Sequence, residues 1–302
     1  MKKILAIIAP LTLIGLLLGS QMGMGTYGVT VGSMYVFDCV ESTASITVGE
    51  NSATAQGYEI DGHHFDPGTS VTVNVTSISS SVYYDKMAGG YTESASSSSF
   101  GFVFGSIFLM MYPYLLAVEF GDVGDWNQTE AEEDPGMLLT PFVENETSTW
   151  EGFRDLADDV ATGSLISETG DDELTINATY TENTQEFIFE FFLAGTLDHI
   201  TTSGNQTLDL TGEIENHYQF AIEKPTGIME GIRLEGFLTG TSNGTAIDIQ
   251  YNFLTELEGY DLPPLEFGDG GFTFPFPGFG IYITLGALGT LTIIAVMVRR
   301  RK

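Results

Sequence analysis

The segment Ile228 to Leu238, the turn Ser242-Asn-Gly244 and the run Ile247-Asp-Ile-Gln-Tyr-Asn-Phe253 decide the fold. Ile247, Ile249, Tyr251 and Phe253 alternate with Asp248, Gln250 and Asn252, so successive side chains fall on opposite faces of a half-buried strand. Asn-Gly between two such runs is the signal of a two-residue hairpin. Outward from this hairpin the period of two continues. Tyr218, Phe220 and Ile222 alternate with Gln219 and Glu223, and Lys224-Pro-Thr-Gly227 marks the turn into Ile228. Phe187, Phe189, Phe191 and Leu193 share one face. Leu174, Ile176, Ala178 and Tyr180 alternate with Thr175, Asn177 and Thr179, as Val71, Val73 and Val75 do with Thr72, Asn74 and Thr76. Residues 164 to 257 therefore read as a meander of five or six strands, and the chain as mainly β. The expected form is an antiparallel sandwich or curved half-barrel sheet, with one face on a core and the other in water.

One short helix is expected at about 150–160, where Trp150, Phe153, Leu156, Ala157 and Val160 recur at helical spacing behind a Ser148-Thr149 cap. No charge occurs between Glu93 and Glu119. The stretch Phe100 to Phe120 is long enough to raise the question of a membrane segment, but Gly101, Gly105, Pro113 and acidic flanks speak against one. It reads as a buried strand, Phe100 to Met111, followed by an aromatic loop.

The two ends read as export and anchorage. Lys2 and Lys3 precede an apolar Ile4 to Leu18 of signal-peptide length, with small residues at Gly23 and Gly25 as cleavage positions. Residues 1–25 are thus a signal peptide, and 26–266 an extracytoplasmic β-rich domain. A linker occupies 267–278. An uncharged run of 20 residues, 279–298, is long enough for one transmembrane helix. Arg299, Arg300, Arg301 and Lys302 form a basic stop-transfer tail that stays in the cytoplasm. Charge is partitioned accordingly. Between the two ends only Lys86, Arg154, Lys224 and Arg233 oppose all 41 Asp and Glu, a net −37 against −31 for the whole chain. So acidic an exterior excludes nucleic-acid or anionic-membrane binding through a basic face. It makes divalent cations at the acidic surface the inorganic partners to look for. The single cysteine, Cys39, leaves no internal disulfide, and its strand-like surroundings suggest a buried, inert thiol.

Six of the ten asparagines stand in Asn-x-Ser/Thr sequons: Asn74, Asn127, Asn145, Asn177, Asn205 and Asn243. Their strand polar faces, turns and loops suit N-glycosylation of an exported domain. The stretch Phe276-Pro277-Gly278-Phe279-Gly280, ahead of the apolar run and Arg299 to Lys302, resembles archaeal cell-surface proteins with a PGF-type C-terminal sorting signal. The resemblance covers about residues 275–302. It implies that Pro277, Gly278 and Phe279 are recognised by an archaeosortase-like processing enzyme, and that the span is replaced by a membrane lipid. The linker ahead of the motif is shorter than the Thr-rich stalks of that family.

Catalytic chemistry is hard to find. There is no Gly-x-Ser-x-Gly elbow, no phosphate loop and no Cys/His nucleophile arrangement. His63-His64, between Asp61 and Asp66, carries metal-ligand chemistry, yet neighbours on a strand point to opposite faces. The acidic runs at Glu130 to Asp134 and Asp171 to Glu173 match no calcium loop. No catalytic, cofactor or metal residue is assigned, and an enzyme is not expected. The expected function is a membrane-anchored, structural or adhesion-type envelope glycoprotein. The alternative is a binding module holding an apolar ligand among Phe102, Phe104, Phe108, Phe187, Phe189 and Phe191.

Overall fold

A computed structural model describes residues 26–120, 126–133, 135–161, 173–203 and 206–267. The signal segment 1–25, the sorting motif Pro277-Gly278-Phe279, the span 279–298, the tail Arg299 to Lys302, Asp134, Asp171, Asp172 and Asn205 lie outside them. Seven strands come first: β1 (Met34–Val48), β2 (Asn51–Gln56), β3 (Tyr58–Ile60), β4 (His63–Phe65), β5 (Ser70–Ile78), β6 (Val82–Ala88) and β7 (Tyr91–Ser97). Four helices follow, which we number α1 (Ser99–Met110), α2 (Tyr112–Phe120), α3 (Gln128–Ala131) and α4 (Thr147–Ala161). The chain then returns to strands, β8 (Glu173–Glu182), β9 (Glu186–Ser203), β10 (Gln206–Glu223), β11 (Ile228–Ser242) and β12 (Thr245–Leu257).

Ten strands form one antiparallel sheet in the order β7-β6-β5-β1-β12-β11-β10-β9-β8, with β2 also on β1; β3 and β4 make a separate hairpin. The meander from β8 to β12 is the five-strand run that alternation predicts. β1 joins the two halves. Its Phe37 to Val48 pair with β12 along one edge, while on the other edge Met34 to Asp38 pair with β5 and Thr43 to Val48 with β2. The register shift between Cys39 and Glu41 lies where β1 changes partner. The β11–β12 turn has Asn243 at φ 51° and Gly244 at φ 77°, the double left-handed geometry of a type I′ hairpin.

The helices cover one face of the sheet. α4 buries Trp150, Phe153, Leu156, Ala157 and Val160 as their spacing predicts, but it starts at Thr147, so Ser148 and Thr149 lie inside its first turn. Phe100 to Phe120 is not a strand and loop but two helices. Ser98 caps α1 by accepting the Gly101 N–H at 3.1 Å, and Pro113 sits in the first turn of α2, where a missing N–H costs nothing. A continuous apolar run carries no period that separates a buried strand from a buried helix. The Ser98 cap is the local signal that marks the start of a helix here.

Phe220 lies at the centre of the core, its ring 4.9 Å from Phe102, 5.1 Å from Phe189 and 5.3 Å from Phe153. Each such side chain, fully withdrawn from water, contributes about 1.5–3 kcal/mol. Two polar ties cross from helix to sheet. Ser106 on α1 lies 2.7 Å from the Tyr218 hydroxyl, and Asn216, 0% exposed, donates to the Leu109 and Met110 carbonyls at 3.0 and 2.8 Å. The Tyr251 hydroxyl donates to Asn216 Oδ1 at 2.7 Å, leaning over Gly236, where a Cβ would stand 2.5 Å from that hydroxyl. Asn216 thus supplies donors to two carbonyls at the C-terminal end of α1.

On the opposite face, residues 258–267 run back across the sheet as a strap. The Leu262 N–H donates to Glu256 on β12 at 2.7 Å, and Arg233 on β11 donates to the Pro263 carbonyl at 3.4 Å. The Glu266 and Phe267 N–H groups donate to the two oxygens of Glu190 on β9, at 2.9 and 2.8 Å. Glu190 is only 2% exposed, so these charge-assisted bonds replace its hydration. Glu190→Ala is expected to cost about 2 kcal/mol and to make 258–267 the first site of limited proteolysis, with β12 still protected.

Candidate functional site

The same outer face carries an open groove of about 610 Å³. Strand register builds it in two rows. In one, Glu215 on β10 faces Phe237 on β11, then Gln250 on β12, Ser45 on β1 and Thr54 on β2. In the next, His217 faces Glu235, Asn252 and Thr43. Alternation puts these side chains outward while Ile214, Tyr218, Leu238, Ile249 and Ile46 point into the core. The floor is thin between the rows at Gly236, beneath which the Tyr251 hydroxyl reaches Asn216.

His217 is the unusual member. It is 6% exposed, its ring lies 4.7 Å from that of Phe192, and Nε2 is 3.0 Å from Glu215 Oε1. Its Nδ1 is buried without a hydrogen-bond partner, a condition that costs about 1–3 kcal/mol. Phe192 in turn stacks on Phe267 at 6.2 Å, so the end of the strap borders the groove. The lining contains Glu215 and Glu235 and no Lys or Arg. Ser45 and Thr54 hydroxyls lie 3.3 Å apart, and Gln250 donates to Asp248 at 3.3 Å. Hydroxyls, amides and carboxylates around the Phe237 ring suit a polar ligand approaching from solvent.

A second acidic group lies nearer the other end of the strap. The Tyr260 hydroxyl donates to Glu186 Oε1 at 2.5 Å, and Glu223 accepts from the Thr226 hydroxyl. Burial, then Glu186 and Glu223, push the Glu230 carboxyl up to about 7. A raised carboxyl pKa favours the folded state below the unfolded value of about 4.3, and that benefit is lost as pH rises toward the folded value. Stability measured by urea unfolding is therefore expected to fall between about pH 5 and about pH 7, with a shallower fall and a higher neutral-pH midpoint in Glu230→Gln. Glu182 has the opposite sign. Hydrogen bonds from Arg154 at 2.7 Å and Lys224 at 2.9 Å hold its carboxyl below the usual range, so its contribution is lost as pH falls through that lowered value.

The residues singled out in the sequence fall elsewhere. His63 stacks on Tyr91 with ring centroids 3.4 Å apart and meets the Asp61 carbonyl at 2.9 Å, while His64 Nε2 lies 3.3 Å from Asp66 Oδ1. Among the described residues no group of three or more His, Cys, Asp or Glu is placed to hold a metal ion. Cys39 is buried, and burial pushes its thiol up to about 11. Phe102, Phe187, Phe189 and Phe191 are all buried in the core, where several of their rings pack on Phe153 and Phe220. Asn243 and Asn127 are exposed, and Asn74 and Asn177 occupy outward strand positions. Asn145 differs: its Nδ2 donates to the Pro225 carbonyl at 2.8 Å and its Oδ1 accepts from the Thr26 hydroxyl. No described helix is long and apolar enough to cross a membrane. The groove was not legible beforehand. Gln219, Gln250 and Asn252 were recognisable as outward residues, but alternation does not say which outward residues stand side by side. No family model, curated protein or solved structure matches the chain.

Proposed function

We propose that this chain is an acidic, N-glycosylated cell-surface protein with a structural or adhesion-type role in the envelope. Residues 1–25 export it, and 279–298, or a lipid attached after recognition of Pro277-Gly278-Phe279, hold it to the membrane. The observation that carries the reading is the charge partition: net −37 between the two apolar ends and four basic residues after the second. We further infer that the sheet closes around the helices as a curved half-barrel. Supporting this, Gly212, Gly236 and Gly240 line the core side of β10 and β11, where a Cβ would come within 2.0 to 2.2 Å of a carbonyl oxygen of the neighbouring strand. Side-chain-free positions of this kind suit a tight bend.

The amino end of the described chain bears on the cleavage position. The Thr26 N–H donates to Glu146 Oε1 at 3.0 Å, and the Asn145 N–H donates to the Thr26 carbonyl at 3.1 Å. Cleavage after Gly25 would turn that N–H into an ammonium group facing a carboxylate, a contact a terminus at Met24 would lack, and on this reading we take Gly25 as the cleavage position. Intact-mass and peptide mapping of protein from native membranes is the test. The expected result is a chain beginning at Thr26, with glycans at Asn127 and Asn243 and none at Asn145, whose amide nitrogen is engaged. A chain that retains Met1 and is inaccessible to protease added to whole cells would sink the proposal. An intact Lys302 would leave the anchor as the helix itself.

A further inference from the structure

We propose that the groove between β10 and β2 is a binding site for an uncharged glycan. The proposal rests on the surface-protein reading, since carbohydrate on neighbouring molecules is what an exported envelope domain meets, and it names that domain's ligand class. The lining has the chemistry for it. Thr43, Ser45, Thr54, Gln250 and Asn252 present hydroxyls and amides that both donate and accept, matched to the dual character of sugar hydroxyls. Phe237 supplies one half-buried apolar ring amid them, a platform for the C–H face of a sugar. Neighbouring strands repeat at about 4.8 Å, on the scale of one hexose ring, so two rows spanning five strands offer a lattice several rings long.

His217 distinguishes this groove from a solvated sheet face. A wall residue that is 6% exposed, with one ring nitrogen tied to Glu215 and the other unpartnered, is a polar group placed beyond what packing requires. Phe192 and Phe267 fix that wall from behind. Charge narrows the ligand further. Glu215 and Glu235, with no Lys or Arg in the lining, repel uronates and sulfated sugars. The same acids also admit organic amines, which the test must separate.

The test uses the full-length chain, solubilised in detergent, on an array of neutral, N-acetylated, uronate-containing and sulfated hexose oligosaccharides, with spermidine as a soluble competitor. The expected result is retention on neutral or N-acetylated oligomers, weakened at least tenfold in Phe237→Ala and in Asn252→Ala and unchanged in Thr92→Ala on β7. Each variant's Tm is measured alongside, and Asn252→Ala, at a half-exposed position, keeps the test valid if Phe237→Ala fails to fold. Binding only to acidic oligosaccharides, displacement by spermidine, or no retention at millimolar oligosaccharide would overturn the proposal. Because binding is read on purified protein, a negative result leaves the surface location standing, and mislocalised protein that still binds would overturn only the envelope role.

Discussion

Asn216→Leu is expected to lower the unfolding free energy by about 4 kcal/mol. Three hydrogen bonds end on this one fully buried side chain: two to the Leu109 and Met110 carbonyls, and one from Tyr251. Each is worth roughly 1 kcal/mol net, but the substitution leaves the Tyr251 hydroxyl and the Met110 carbonyl buried without these partners, and each orphan costs about 1–3 kcal/mol. The total is a large share of the 5–15 kcal/mol that a domain of this size commands, roughly. Urea unfolding followed by tryptophan fluorescence measures it. Tyr251→Phe, which removes a single bond and leaves Asn216 bonded to α1, is expected to cost about 1 kcal/mol. Similar losses in the two variants would show that Asn216 does not join helix to sheet.

Gly240→Val is expected to prevent folding altogether. A Cβ at Gly240 would lie 2.0 Å from the Thr211 carbonyl oxygen and 2.5 Å from Gly212 Cα, and both neighbours are backbone. The register places Gly212 opposite Gly240, and a Cβ at Gly212 would meet the Thr239 oxygen at 2.1 Å. Relief requires β10 and β11 to separate in the middle of the sheet, a loss well beyond about 4–5 kcal/mol. Expression should yield only insoluble chain. Gly244→Ala is the contrast. At φ 77° with no atom near, it costs only the strain of a left-handed alanine, about 1–2 kcal/mol. Equal outcomes for the two glycines would refute the close-approach argument.

What was legible in the sequence follows the strength of local signals. Asn243-Gly244 and the alternation through Phe253 specify a hairpin from within, because turn chemistry and side-chain period agree there. α4 was legible because its apolar positions have one period. The run from Phe100 to Met110 was not, because a segment apolar on every side looks alike whether it becomes strand or helix. The groove was hidden for another reason: its residues come from five strands, and register is a property of pairs. The strap was hidden too. Glu190, amid Phe187, Phe189 and Phe191, reads as one more outward acid until residues 266 and 267 fold back onto it.

If the proposed anchor beyond Phe267 holds, the strap would have a mechanical role whenever the chain is pulled. Tension entering from the membrane side would otherwise reach the sheet at Leu257 and unzip β12 one ladder bond at a time, the weakest way to load a strand. With residues 258–267 laid across the outer face, such a pull would arrive at Phe267 and pass first into Glu190, three strands away, then through Arg233 and Glu256. The bonds that must fail first are two N–H contacts to a buried carboxylate, and they fail without disturbing any strand pairing. Were the chain anchored beyond Phe267, the strap would thus act as a sacrificial link that yields before the sheet it crosses.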